Sequence, residues 1–126
     1  MQFFATAKSV RMSPRKVRVV ADAIKKLKLE VACEKLKFLS KSAAEPIYKA
    51  LRSAVANATQ SGKIQESDLK IENIIIDEGT RMKRRDTSHR ASRDSGTIHK
   101  RTSHITVILT NNKEVKSQKL KVKSSS

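Results

Sequence analysis

From Leu69 to Leu109 the chain reads LKIENIIIDEGTRMKRRDTSHRASRDSGTIHKRTSHITVIL, and the order of patterns in this stretch decides the fold. Leu69 and Ile71 lie on one side of an extended chain. The apolar residues then resume at Ile74 and Ile76 on what would be the other side, and one slip of this kind predicts a β-bulge near Glu72 and Asn73. After Asp77, Glu78 and Gly79 the apolar pattern stops. It returns at His104-Ile105-Thr106-Val107-Ile108-Leu109, a β-branched run that predicts another strand. Between the two, residues 80–104 carry eight Lys or Arg against two acids, with Met82, Ala91 and Ile98 as the apolar side chains. Such an insert has no hydrophobic face to bury. Strand, charged insert and strand therefore predict a hairpin whose ends belong to a sheet and whose middle protrudes, reaching roughly 40 Å at about 3.3 Å per residue. A two-stranded ribbon is marginal in water, and this one also repels itself through Arg81, Lys83, Arg84, Arg85, Arg90, Arg93, Lys100 and Arg101. The expectation is that a partner orders it.

Upstream the period is helical. Alternation in FFATAKSV (residues 3–10) predicts a short first strand, and Ser13-Pro14 reads as a helix start, with Ser as N-cap and Pro as first helical residue. Val17, Val20, Ala21, Ile24 and Leu27 share one face of that helix, with Arg15, Arg18 and Lys25 largely off it. Its first turn carries Arg15 and Lys16 where the helix dipole prefers acids, at a cost of a few tenths to about 1 kcal/mol per charge. A phosphate there would be held by free backbone N–H groups and by both side chains; a solvated basic face is the plainer alternative. Leu29, Ala32, Cys33, Leu36 and Leu39 predict a second, shorter helix. A third follows, capped by Ser40 or by Ser42 in a capping box with Glu45. Its face is Ala44, Ile47, Leu51, Ala54, Val55 and Ala58, and Pro46 is expected to kink or delay it.

With 126 residues the chain is about one domain long, and its 37% hydrophobic but 3% aromatic composition requires a core of Val, Ile, Leu and Ala. The formal charge of +16 is uneven: residues 1–28 carry +7, residues 29–79 carry −1, residues 80–104 carry +6 and residues 111–126 carry +4. An ordinary middle bracketed by basic segments is the signature of a polyanion-binding surface. Nucleic acid is the first candidate partner and an anionic membrane the second. No apolar run approaches the roughly 18 to 20 residues of a bilayer span, and MQFFATAKSVRMSP lacks the features of a signal peptide. A cytoplasmic protein is expected.

Chemistry-bearing residues are few. Cys33, the one cysteine, sits on an apolar stripe and reads as a small core residue. His89, His99 and His104 show no zinc-like spacing, and no cofactor is expected. Ser103-His104 and Asp94-Ser95 lack a nucleophile elbow. With no aromatic residue beyond Tyr48, phosphate and shape contacts are expected rather than base stacking along the arm. A DNA-architectural protein, the alternative binding class, would carry an apolar wedge at the arm tip; Ser88-His89-Arg90-Ala91 offers none.

Three blocks carry a resemblance to a known family: AKSVRMSPRKVRVVADAI at Ala7 to Ile24, LRSAVANA at Leu51 to Ala58, and KRTSHITV at Lys100 to Val107, supported by IIIDEG at Ile74 to Gly79. In this order, with a basic insert before the last, they resemble the family of large-subunit ribosomal protein 22, bacterial type, over about residues 2–110. The resemblance implies an α+β fold, three helices packed on a small three-stranded antiparallel sheet with a long protruding basic β-hairpin. It implies one rRNA-binding domain over residues 1–110, arm included; residues 111–126 go beyond the resemblance, and their lysines predict a flexible basic tail, with an added edge strand turned at Asn111-Asn112 as the alternative. The implied function is non-enzymatic: a structural constituent of the large ribosomal subunit that binds several domains of 23S-type rRNA and aids assembly. Its hairpin tip would line the peptide exit tunnel, meeting nascent peptide and neighbouring large-subunit proteins such as ribosomal protein four. By position, the rRNA contacts would be Lys8, Arg11, Ser13, Pro14, Arg15, Lys16, Arg18, Arg81, Lys83, Arg84, Arg85, Arg90, Arg93, Lys100, Arg101, Thr102, Ser103 and His104. The tunnel-facing tip would be His89, Arg90, Ala91, Ser92 and Arg93. There the sequence departs from the family, with Arg93-Asp94 in place of a glycine and a basic residue and without the usual proline.

Overall fold

The computed structural model describes residues 1–60, 64–88 and 96–111. Its elements are β1 (Gln2–Val10), α1 (Pro14–Ile24), α2 (Leu29–Phe38), α3 (Ala44–Thr59), a 3₁₀ turn (Glu66–Asp68), β2 (Leu69–Glu78), β3 (Met82–Arg85), β4 (Thr97–Lys100) and β5 (Ser103–Asn111). The strands β1, β5 and β2 form an antiparallel sheet with β5 in the centre, and β3 pairs with β4 as a separate ribbon. The architecture is the expected α+β arrangement of three helices on a small sheet with a basic hairpin. The expected tip, residues 89–93, and all of the tail beyond Asn111 lie outside the described residues.

Why the helices pack follows from their spacing. Val17, Val20, Ala21 and Ile24 are buried on one face of α1, and Ile47, Leu51, Ala54, Val55 and Ala58 on one face of α3. The alanines of α3 let its backbone approach β1 and β5 closely, and each fully buried Ile or Leu contributes about 1.5–3 kcal/mol relative to exposure. Leu29, Ala32 and Leu36 anchor α2. Cys33 is half-buried and free rather than fully interior, and its thiol is pushed up from its ordinary range by desolvation, with Glu66 adding to the effect. That combination disfavours the thiolate.

Two caps differ from expectation. Ser13 has the extended N-cap conformation, but its side chain makes no cap hydrogen bond; its carbonyl accepts from Lys16 N and Val17 N instead. The Ser42–Glu45 capping box does not form, because Ala43, already helical, occupies the N-cap position of α3. Glu45 pairs with Lys49 at 2.7 Å. Pro46 becomes the third residue of α3, where its missing N–H removes no intrahelical bond, so it does not delay the helix.

The sheet carries two irregularities. In β2, Ile71 pairs with Leu109 and Asn73 with Ile108, leaving Glu72 as the extra residue. This is the expected bulge, and it turns Leu69, Ile71, Ile74 and Ile76 all toward the core. In β1 the register shifts between Ala7 and Val10, where Ser9 adopts φ 55°. The Ser9 N–H donates to His104 Nδ1 at 2.9 Å. Alternation in FFATAKSV gives no sign of this second bulge. The outer strands are also guarded at their backbones: Asn57 Nδ2 donates to the Phe4 carbonyl at 3.0 Å, and Arg18 Nη2 to the Ile76 carbonyl at 3.0 Å.

The arm continues β2 and β5 beyond the sheet. At its root the Gly79 N–H donates to the Thr102 carbonyl at 2.9 Å, and Thr102 Oγ1 donates to the Thr80 carbonyl at 2.8 Å. A methyl group on Gly79 would run into Thr102 Oγ1. Beyond the root, β3 and β4 pair from Met82↔Lys100 to Arg85↔Thr97, with every residue exposed. Asp86 N then donates to the Gly96 carbonyl at 2.8 Å.

Because β3 and β4 bury nothing against the core, deleting residues 82–99 should leave the melting temperature within about 4 °C of the full chain, less than about 1 kcal/mol; loss of cooperative melting would contradict this arrangement. Gly79→Ala should destabilise by about 1–3 kcal/mol through overpacking against Thr102. Combining it with Thr102→Ala should recover part of that loss in chemical denaturation, since the colliding hydroxyl is gone.

Candidate nucleic-acid interface

The basic start of α1 and the base of the arm are more than eighty residues apart in sequence, yet the fold sets them side by side. Arg11, Met12, Ser13 and Lys16 form one wall of a groove of about 390 Å³; Ile98, His99, Lys100 and Arg101 form the other, and Ser42 completes it. Four cations and no carboxylate line it. Arg11 ties the walls together, with Nη1 donating to the Arg101 carbonyl at 2.6 Å. The first turn of α1 holds no acid and no side-chain cap, so its N-terminal dipole adds to the positive field beside Lys16.

One acid organises the root. Glu78 receives a two-pronged bond from Arg81, at 2.9 Å from Nε and 2.7 Å from Nη2, and Arg101 Nη1 reaches it at 3.3 Å. Hydrogen bonding from Arg81 first, then the charges of Arg81, Arg101 and Arg18, hold its carboxyl below the usual carboxylate range, against a smaller opposing desolvation. A carboxylate depressed in the folded state contributes fully above its unfolded value of about 4.3 and loses that contribution as pH falls through the folded value. At neutral pH the clamp is intact. It spends Arg81 and part of Arg101 on protein, leaving the outer arm to meet a ligand. On the outer arm, Asp86 is likewise held low by hydrogen bonds from the Ser88 side chain and backbone.

The expected contact residues divide by what the fold does with them. Lys8, Arg15, Lys16, Lys83, Arg85 and Lys100 are exposed and make no ion pair among the described residues. Arg84 donates to the Lys83 carbonyl and Arg18 to Ile76, and both remain exposed. Pro14, Thr102 and Ser103 are a different case. Pro14 is buried, Thr102 is 4% exposed and Ser103 fully enclosed, so their side chains shape the root rather than touch a large partner. Ser103 Oγ finds no hydrogen-bond partner among the described residues. His104 is half-buried, with Nδ1 occupied by Ser9; it positions the bulge. Ser103 and His104, as strand neighbours, point to opposite faces and cannot act as a nucleophile and base. Arg90, Arg93 and the tip residues His89, Ala91 and Ser92 lie outside the described residues. Sequence reading missed Ser42 and His99 as groove residues, because packing alone brings them there. It also missed Glu78 as the clamp, although its spacing to Arg81 was a usable signal.

Among the described residues no group of three His, Cys, Asp or Glu side chains is placed to hold a metal ion, and no helix is long and apolar enough to cross a membrane.

Residues 5–110 match the family described as ribosomal protein L22p/L17e. Curated relatives agree. A large ribosomal subunit protein uL22 from Desulfatibacillum aliphaticivorans is 47% identical over 109 residues, covering 86% of this chain and 98% of that protein. The uL22 of Deinococcus radiodurans is 44% identical over 106 residues, 84% of this chain and 78% of its own length. That of Mycoplasma capricolum subsp. capricolum is 40% identical over 114 residues, 90% of this chain and all of its own length. The matched span takes in the three helices, the groove, the arm and all of the sheet but the start of β1 and the last residue of β5, and by it the chain belongs to the ribosomal protein L22p/L17e family.

Proposed function

We propose that this chain is a structural constituent of the large ribosomal subunit, not an enzyme, and that it binds large-subunit rRNA through phosphate and shape contacts. The observation that carries the binding reading is the groove at the arm root, where Arg11, Lys16, Lys100 and Arg101 converge without a carboxylate in its lining. Side chains of this kind fix a protein's position on a nucleic acid through phosphate oxygens. At the N-terminus of α1 Pro14 has no N–H and Lys16 N is bonded to the Ser13 carbonyl, so that end contributes the positive pole of its dipole rather than a row of free donors.

From the groove the contact surface runs outward along the exposed faces of β3 and β4 through Lys83, Arg84 and Arg85, and back over the body through Lys8 and Arg15. Residues 1–110, arm included, act as one rRNA-binding unit. The tip, residues 89–93, lines the exit tunnel beside ribosomal protein four and the nascent peptide, and placement of the arm between rRNA segments aids subunit assembly. These finer roles rest on family membership and on an arm that contributes nothing to the core. No described residue of β3 or β4 is buried, so the arm's sequence answers to a partner rather than to the fold.

Replacing Lys16 and Lys100 together by Gln should weaken binding to folded large-subunit rRNA fragments. Each lost phosphate contact lowers the slope of log affinity against log salt by about 1, so a fall of nearly 2 is expected. The native chain should prefer folded rRNA to duplex DNA in the same titrations. Equal affinity for the two would sink the rRNA reading, and an unchanged slope in the double variant would remove the groove from the interface.

A further inference from the structure

Phe38 is the most exposed large hydrophobic side chain among the described residues, at 88%. It closes α2, whose last turn carries Lys35 and Lys37, and Lys41 follows three residues later. Lys37 Nζ is 5.9 Å from the centroid of the Tyr48 ring, which ties this end of α2 to α3. Four residues beyond Phe38, Ser42 lines the arm-root groove, and four residues span at most about 14 Å. The Phe38 backbone is therefore within about 14 Å of Ser42 at the edge of the arm-root groove. An aromatic face next to cations that track a phosphate backbone is the arrangement that holds an unpaired base, because every base has a stacking face.

The other described aromatics are placed differently. Phe3 and Tyr48 pack against the core. Phe4 is 68% exposed, but it lies on the sheet face away from the helices, where Glu72 and Asp77 offset Lys8 and Lys70. Around Phe4 itself, at the end of β1 far from the arm, Lys70 and Glu72 balance, unlike the arm end of that strand at Lys8. Between residues 34 and 41 one acid, Glu34, stands against Lys35, Lys37 and Lys41 in the sequence.

We infer that Phe38, flanked by Lys35, Lys37 and Lys41, is a nucleobase-stacking site that takes one unpaired base of the RNA whose phosphates occupy the arm-root groove. The inference rests on the rRNA reading of that groove and adds to it a contact that is not electrostatic. It assigns to the end of α2 a role that the packing of the protein does not explain.

The chain contains no tryptophan, so Phe38→Trp introduces one reporter at the site. In the full-length protein its fluorescence should be quenched by saturating large-subunit rRNA. Phe38→Ala and Phe38→Leu should each weaken rRNA binding about tenfold, with the salt slope and the far-UV circular dichroism unchanged. Unquenched emission, or wild-type affinity in the Leu variant, would overturn base stacking. If Phe38→Ala binds as the native chain while the Lys16/Lys100 variant is weakened, the stacking site falls, the groove stands, and Phe38 is left to a protein neighbour. If neither change weakens binding, the groove falls too.

Discussion

The approach of the Gly79 backbone to Thr102 is the constraint on which the arm depends. β5 is the central strand, and its last pair with β2 is Ser103 opposite Glu78. One step further out, the Gly79 N–H and the Thr102 hydroxyl carry two hydrogen bonds across the break between sheet and ribbon. The hydroxyl reaches the Thr80 carbonyl from a nearly enclosed position, and any side chain at residue 79 would occupy its space. A glycine is needed here for room, not for an unusual φ. The arm therefore leaves the body in one direction, set by backbone contacts that no charged side chain has to provide.

Electrostatics then acts on a geometry already fixed. The stretch from residue 29 to 79 nearly balances its charge, and its acids serve local ends, as Glu45 does with Lys49 and Glu66 with Arg52. Exposed pairs of this kind contribute at most about 1 kcal/mol each, so they keep the body neutral more than they hold it together. Glu78 differs because it sits among three guanidinium groups. It offsets like charge where the arm begins, while Lys16, Lys83, Arg85 and Lys100 have no ion-pair partner among the described residues. Repulsion among those cations opposes the compact state of the free protein. A polyanion set against these cations would reverse the sign of that contribution.

Much of this was legible in the sequence, for identifiable reasons. The helices announced themselves through faces such as Val17-Val20-Ala21-Ile24, and the β2 bulge through the shift from Ile71 to Ile74, because burial imposes periodicity on apolar residues. The arm was legible by the absence of any such period. Caps were read less well. Ser13 and Ser42 have the right chemistry, but a capping hydroxyl competes with the backbone turns that Ser13 O and Lys41 O accept. The contact residues taken from sequence blocks included Thr102 and Ser103, whose burial depends on β5 being central. No local pattern reveals that order. The groove itself was out of reach for the same reason, since its walls come from opposite ends of the matched span.

The bulge in β1 shows how an unforeseen detail builds the site. Two residues of β1, Lys8 and Ser9, stand where β5 has His104 alone, and the positive φ at Ser9 turns the strand end more sharply than regular pleating allows. The imidazole stabilises this turn by accepting the Ser9 N–H on Nδ1, a bond that requires the ring's proton on Nε2. A tight turn follows, with Met12 N donating to the Val10 carbonyl at 2.7 Å. Arg11 is thereby delivered to the Arg101 carbonyl and Ser13 to the start of α1, against the base of the arm. Had β1 run straight to Val10, its side chains would have alternated in the original phase and the strand would have pointed past the root. A strained serine and a histidine outside the groove's lining thus set one of its walls through the position of Arg11 and Lys16.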